Sequence, residues 1–184
     1  MSNIIEYGIG PRDTTEKLWK VTASGGYGGD HSLTIDITEK YLFFAWIYKD
    51  TMIGTTACSL SMGFQGTILD NSDGSSLTDP SFINALSWRS GGDLYGYEER
   101  WLLCCSYIFP YGTSNSATVY GGIYTANGTK ILDTVDYRWS SDPSPWAGES
   151  ISQSCTEDNV LYIARPSLYL CDEFEPNIKR MIGL

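Results

Sequence analysis

The stretch Tyr41-Leu42-Phe43-Phe44-Ala45-Trp46-Ile47-Tyr48 and its counterpart Trp101-Leu102-Leu103-Cys104-Cys105-Ser106-Tyr107-Ile108-Phe109 are apolar at nearly every position. A strand with one wet side alternates apolar and polar residues, and these two do not. Each therefore reads as a strand covered on both faces, by a facing sheet on one and by a loop, a neighbouring subunit or a ligand on the other. A membrane-spanning helix needs roughly 20 such residues, so neither run crosses a bilayer.

Outward from these two, helical periodicity is scarce, because Gly, Ser and Thr recur every few positions. Runs rich in β-branched and aromatic residues, bounded by turn formers, predict strands at Leu18 to Thr22, Ser32 to Ile37, Tyr41 to Tyr48, Cys58 to Gln65, Trp101 to Phe109, Thr118 to Tyr124, Lys130 to Trp139, Ser150 to Cys155, Val160 to Ala164 and Ser167 to Cys171. About ten strands of this kind suit an antiparallel β-sandwich. In Ser32 to Ile37 the alternation of Leu33, Ile35 and Ile37 with Thr34 and Asp36 predicts one wet face. Asn127-Gly128 predicts a hairpin closed by a type I′ turn. The polar stretches 70–80 and 90–99 read as long loops, which is where binding commonly happens.

The chain has 184 residues, enough for one domain, expected over 18–172 between an attachment segment at 1–17 and a tail at 173–184. With 42% hydrophobic and 14% aromatic residues it is no disordered chain. Its formal charge of −10, with no basic patch, argues against nucleic acid and against anionic membranes. The N-terminus lacks a secretory pattern, so synthesis and folding in a cytosol are expected. Five cysteines without Cys-x-x-Cys spacing, beside the single His31, predict buried thiols and not a zinc site.

Nucleophilic catalysis would have to rest on His31, and no nucleophile motif accompanies it. The acids offer too many pairs to select a glycosidase couple. Asp70 and Asp73, in Asp70-Asn71-Ser72-Asp73-Gly74, resemble a calcium loop, although the Gly and Glu spacing of an EF-hand is missing, so a structural calcium competes with an Asx turn. Aromatic residues outside the core strands are the strongest binding candidates, since their flat faces stack on sugar rings. These are Trp88, Tyr95, Tyr97, Tyr111, Tyr120 and Trp146, of which Trp88, Tyr95, Tyr97 and Trp146 are the expected glycan contacts, with Asp93 and Glu98 placed to accept sugar hydroxyls.

One resemblance runs along much of the chain. Glu99-Arg100-Trp101-Leu102-Leu103 with Tyr107-Ile108 is followed by Gly121-Gly122-Ile123-Tyr124, Asn127-Gly128-Thr129-Lys130-Ile131-Leu132, Asp136-Tyr137-Arg138-Trp139, Ile163-Ala164-Arg165-Pro166 and Glu175-Pro176-Asn177-Ile178. This succession, with Tyr41 to Tyr48 before it, is similar to a jelly-roll module of bacteriophage tail fibres and related virion appendages. The similarity spans about 41–182 and departs near 146–156, where this chain lacks the module's histidine- and tyrosine-rich strand. It implies a carbohydrate-binding-like, jelly-roll sandwich, non-enzymatic and without a required cofactor. Such a module folds in the host cytoplasm and is displayed on a virion beside other virion proteins, often as a trimer, with a cell-surface glycan as its partner. A purely structural virion module and a polysaccharide-degrading enzyme are the rival expectations.

Overall fold

The computed structural model describes residues 4–28, 35–52, 58–141, 148–155 and 159–171. His31, Trp146, the first half of the expected strand 32–37 and the tail 173–184 lie outside them. Among the described residues fourteen strands are present: β1 (Ile4–Ile9), β2 (Thr15–Thr22), β3 (Gly25–Gly28), β4 (Lys40–Lys49), β5 (Cys58–Gln65), β6 (Thr67–Asp70), β7 (Ser76–Thr78), β8 (Ser81–Ser87), β9 (Trp101–Phe109), β10 (Gly122–Thr125), β11 (Lys130–Asp133), β12 (Tyr137–Arg138), β13 (Gly148–Cys155) and β14 (Val160–Cys171).

They form two sheets. The large one has ten strands in the order β1-β2-β14-β4-β9-β12-β6-β7, with β10 also on β9 and β11 on β10; the small one runs β3-β13-β5-β8. Pairing is antiparallel except between β12 and β9. The chain passes repeatedly from one sheet to the other, as in a jelly-roll, and the antiparallel sandwich expected from the sequence is what forms.

β4 shows why its sequence has no polar side. Tyr41, Phe43, Ala45 and Ile47 point into the sandwich against Cys58, Leu60, Met62 and Phe64 of β5. Phe43, Phe64 and Phe82 meet there with ring centroids 5.3 to 5.5 Å apart. Leu42 and Trp46 point the other way, yet are also buried. On that outer face Trp46 packs with Leu18, Leu103 and Ala164, and Leu42 with Cys105, Tyr107 and Cys171. The half-buried rings of Phe44, Trp101, Tyr124 and Tyr162 rim these clusters. Side chains of the chain itself thus supply cover on the outer face.

Several elements depart from expectation for local reasons. Ile35 to Ile37 are not in a strand, because Asp36 Oδ1 accepts from Thr38 N–H and closes a turn. The stretch 70–80 is not one long loop, because Ser76–Thr78 pair with Thr67–Leu69 as the hairpin β6–β7. Val160 to Ala164 and Ser167 to Cys171 are one strand, irregular at Arg165-Pro166. There Arg165 adopts φ +51° and its guanidinium clasps both carboxylate oxygens of Glu16. The Asn127-Gly128 hairpin forms, but only its Gly128 has positive φ (+86°), and Thr125 N–H donates to Thr129 O across the loop. That is a three-residue loop with a glycine in the left-handed region, not a type I′ turn.

Thr118 to Gly121 are not in a strand, and the expected strand 130–139 breaks at Thr134 to Asp136. Asp136 causes both. Its buried carboxylate accepts the backbone N–H groups of Tyr107, Tyr120 and Gly121, so the segment before β10 is held by a side chain in place of a ladder. Burial pushes its carboxyl upward, while these three donors pull it back.

The cysteine expectation needs correction. β13 pairs with β5 so that Cys155 faces Cys58, their Cα atoms 4.4 Å apart, and the two are joined in a disulfide. Cys104, Cys105 and Cys171 are buried thiols, as expected. Sequence spacing could not show the bridge, because its ends are 97 residues apart and only the small sheet brings them together.

Unfolded in denaturant without reductant, the protein is expected to titrate three thiols with a thiol reagent, and five after reduction. Replacing Cys58 and Cys155 by Ala should lower unfolding free energy by about 2–4 kcal/mol. Asp136→Ala strands three backbone donors, two of them buried, and should cost about 2–3 kcal/mol in urea denaturation, with exchange protection lost first at Tyr120 and Gly121.

Candidate functional site

The loop between β8 and β9, where the sequence placed its aromatic candidates, is a chain of tight turns. Gly92 N–H donates to Arg89 O, Tyr95 N–H to Gly92 O and Tyr97 N–H to Leu94 O. The result folds Leu94 and Trp88 inward, at 0% and 1% exposure. Trp88 is therefore a core residue and not the ligand contact expected from the sequence, since its indole presents no face to solvent. Tyr97 is half-buried against the same core. Asp93 and Tyr95 are exposed, and the half-buried Glu98 accepts the Gly96 N–H through Oε2 at 2.9 Å. The loop thus brings no row of rings to the surface.

Beneath this loop lies Lys49, the last residue of β4 and only 1% exposed. Its ammonium donates to Asp50 O at 3.1 Å, Asn159 Oδ1 at 3.1 Å and Val160 O at 3.2 Å. Its own carbonyl accepts the Glu99 N–H, which ties the loop's end to the sheet. Burial among neutral oxygens lowers its pKa to about 8.

A row of exposed-edge aromatics does exist, on the outer face of the large sheet. The ladder sets Lys20 of β2 opposite Tyr162 of β14, Tyr162 opposite Tyr48 of β4, and Tyr48 opposite Trp101 of β9. The rings of Tyr48 and Trp101 lie 5.4 Å apart at 49°, and those of Tyr48 and Tyr162 lie 6.2 Å apart at 57°. All three are half-buried. They line a hollow of about 200 Å³ walled by Leu18 and by Glu6, Gly8 and Ile9 of β1. Lys20 Nζ stands 5.6 Å from the Tyr162 ring centroid and 3.5 Å from Glu6 Oε2. Tyr162 lifts the Lys20 pKa, and burial lifts those of Tyr48 and Tyr162, so the hollow carries neutral phenols at pH 7, with the Glu6 side chain in its wall and the Lys20 ammonium against the Tyr162 ring. A Cβ at Gly8 would stand 2.8 Å from Leu18 Cδ1, so any larger residue there requires the Leu18 side chain to shift.

These rings escaped the sequence reading because they sit in strands classed as core. The available signal was phase: Trp46 and Tyr48 share one face of β4, Leu103 and Trp101 the same face of β9, and the strand ends of such a face are its least covered positions.

A second concavity, of about 430 Å³, lies on the small sheet and is lined by Ser61, Gly63, Gln65, Asp79, Ser81, Ser150 and Ser152 among others. It is rich in hydroxyls, but the one ring in its lining, Phe64, is 2% exposed. The expected calcium ligands each serve their own turn. Asp70 Oδ1 accepts from Ser72 N and Oγ at 2.7 and 2.6 Å, and Asp73 Oδ1 accepts from Ser75 N at 2.8 Å. Among the described residues no three His, Cys, Asp or Glu side chains converge on one point.

No known family and no curated protein matches the chain by sequence. Among solved structures, a family 16 carbohydrate-binding module-2 is similar at 12% identity and TM-score 0.40, over 90% of this chain and 85% of that one. An exo-β-agarase is similar at 16% identity and TM-score 0.43, where this chain aligns over 96% of its length to only 23% of the enzyme. The binding domain of botulinum neurotoxin serotype G is similar at 10% identity and TM-score 0.44, over 98% of this chain and 44% of that one. These are distant likenesses of β architecture.

Lys49 gives the site region a pH signature. A lysine whose folded pKa lies near 8, below its ordinary 10.5, binds fewer protons folded than unfolded between those values, so its contribution to stability is flat below pH 8 and grows as pH rises above it. The urea midpoint of wild type minus that of Lys49→Met should therefore increase from pH 8 to pH 10 and stay constant from pH 6 to pH 7.5.

Proposed function

We propose that the protein is a non-enzymatic glycan-binding module of a virion appendage, and that the Tyr48, Trp101 and Tyr162 row is where a sugar ring stacks. The observation that carries this reading is the row itself: three half-buried rings on neighbouring strands, beside an ammonium and a carboxylate that can bond sugar hydroxyls. Aromatic faces offer an apolar surface to the C–H side of a pyranose, with polar groups at the rim for orientation. The hollow is smaller than the roughly 300–1,000 Å³ that encloses drug-sized ligands, which suits one or two sugar units at modest affinity. Several copies on one particle would raise avidity without new contacts.

The virion setting rests on the sequence resemblance over 41–182. A disulfide persists outside the reducing cytosol, including on virion surfaces, and the Cys58–Cys155 bridge agrees with a protein that works after release from the cell. Catalysis is not part of the reading, since Glu98 is engaged within its own loop and Asp93 stands exposed beside it.

A glycan array with the full chain identifies a binding sugar, and titration of that sugar then locates the site. Tyr162→Ala and Trp101→Ala should each weaken Kd tenfold or more, about 1.4 kcal/mol, whereas Tyr95→Ala on the β8–β9 loop should leave it unchanged. The reverse pattern would move the site to that loop, and no binding to any glycan would end the proposal.

A further inference from the structure

β1 is the outermost strand of the large sheet, joined to β2 by six consecutive residue pairs without a bulge. Among the described residues nothing pairs its other side. Natural edge strands are commonly protected by lysine, proline, a bulge or short length. Ile4-Ile5-Glu6-Tyr7-Gly8-Ile9 has none of these. Its register places Ile5 beside Trp19, whose ring packs on Tyr27 of β3, so Ile5, Tyr7 and Ile9 lie on the side that faces the small sheet. That sheet ends at β3, and the row overhangs it, 50%, 77% and 61% exposed.

Charge indicates what covers this edge. The chain carries −10 overall, but the only charge on β1, Glu6, lies 3.5 Å from Lys20 of its own neighbouring strand. Along this edge itself a second copy therefore meets no charge that is not already opposed by one of the other sign. The order of residues says how. Directly opposed residues of a ladder point to the same side of the sheet, so a symmetric antiparallel pairing about an axis normal to the sheet must centre on one residue. Centring on Glu6 sets two carboxylates against each other, which is unfavourable. Centring on Tyr7 sets Tyr7 against Tyr7, Ile5 against Ile9, and Glu6 against Gly8, which has no side chain.

We infer that β1 pairs with β1 of a second copy about a two-fold axis at Tyr7, which continues the large sheet through both molecules. The apolar row becomes a six-residue patch across the axis. Because Glu6 and Gly8 also wall the aromatic hollow, each hollow then has Glu6 of the second copy beside its rim. A six-residue edge buries little surface, so the dimer is one that dissociates on dilution.

Single cysteines in the full chain test the register. The native bridge is internal and the other three thiols are buried, so wild type should give no covalent dimer on mild oxidation. Tyr7→Cys should give a disulfide-linked dimer on a non-reducing gel, because the axis brings residue 7 within bonding range of its copy. Glu6→Cys, opposite Gly8, should cross-link at least tenfold more slowly. In sedimentation equilibrium, wild type should move from monomer to dimer with concentration and Tyr7→Lys should remain monomeric. Equal cross-linking of the two cysteine variants, a wild type that stays monomeric at every concentration, or an oligomer that Tyr7→Lys leaves intact would each overturn the inference.

Discussion

The architecture depends on the register of β4 between β14 and β9. Where one face of a strand is polar, a one-residue slip exposes apolar side chains and is penalised at once. β4 is apolar on both faces, so polarity along most of its length does not choose between registers. Lys49, at its end, does. Its ammonium is 1% exposed and is satisfied by three oxygens contributed by Asp50, Asn159 and Val160. A slip against β14 would take Asn159 Oδ1 and Val160 O from that buried charge and leave it only the carbonyl of Asp50, at a cost of several kcal/mol. The polar group at the end of the strand thus supplies the specificity that its hydrophobic body lacks, and the ring row at Tyr48 inherits its alignment from it.

The same division between general and specific forces explains what could be read from the sequence. The all-β class, the sandwich, the buried central strands and the Asn127-Gly128 hairpin follow from periodicity and turn chemistry, which are local. The breaks around Asp136, the turn at Asp36 and the hairpin across 67–78 depend on single side chains that compete with the ladder for backbone donors. Composition shows those residues as polar and does not show whom they bond. β3, Gly25–Gly28, is absent from the expected strands because four residues with three glycines have no strand propensity of their own; pairing with β13 supplies what the side chains do not. The disulfide belongs to the same group, since it reports a pairing between distant strands.

The candidate site shows the limit most clearly. Trp88, in a polar glycine-rich loop, looked exposed and is core; Tyr48, Trp101 and Tyr162, in apolar strands, looked like core and are half exposed. In a sandwich whose larger sheet overhangs its partner, an apolar strand is no guarantee of burial along its whole length. Position across the sheet and distance from the strand's centre decide exposure, and neither is written in a single strand's sequence.

The Cys58–Cys155 bridge also has a mechanical meaning. It closes a loop that contains β6 to β12 together with most of β5 and β13. A pull applied through the two ends of the chain is carried across the small sheet by a covalent bond, and only the segments outside the bridge, 1–57 and 156–184, can be drawn out. At about 3.3–3.6 Å per extended residue, the enclosed 97-residue span would otherwise add more than about 300 Å of slack. Half of the sandwich is thereby exempt from extension, so tension can peel the edge formed by β1, β2 and β14 while β9 and the strands beyond it stay folded.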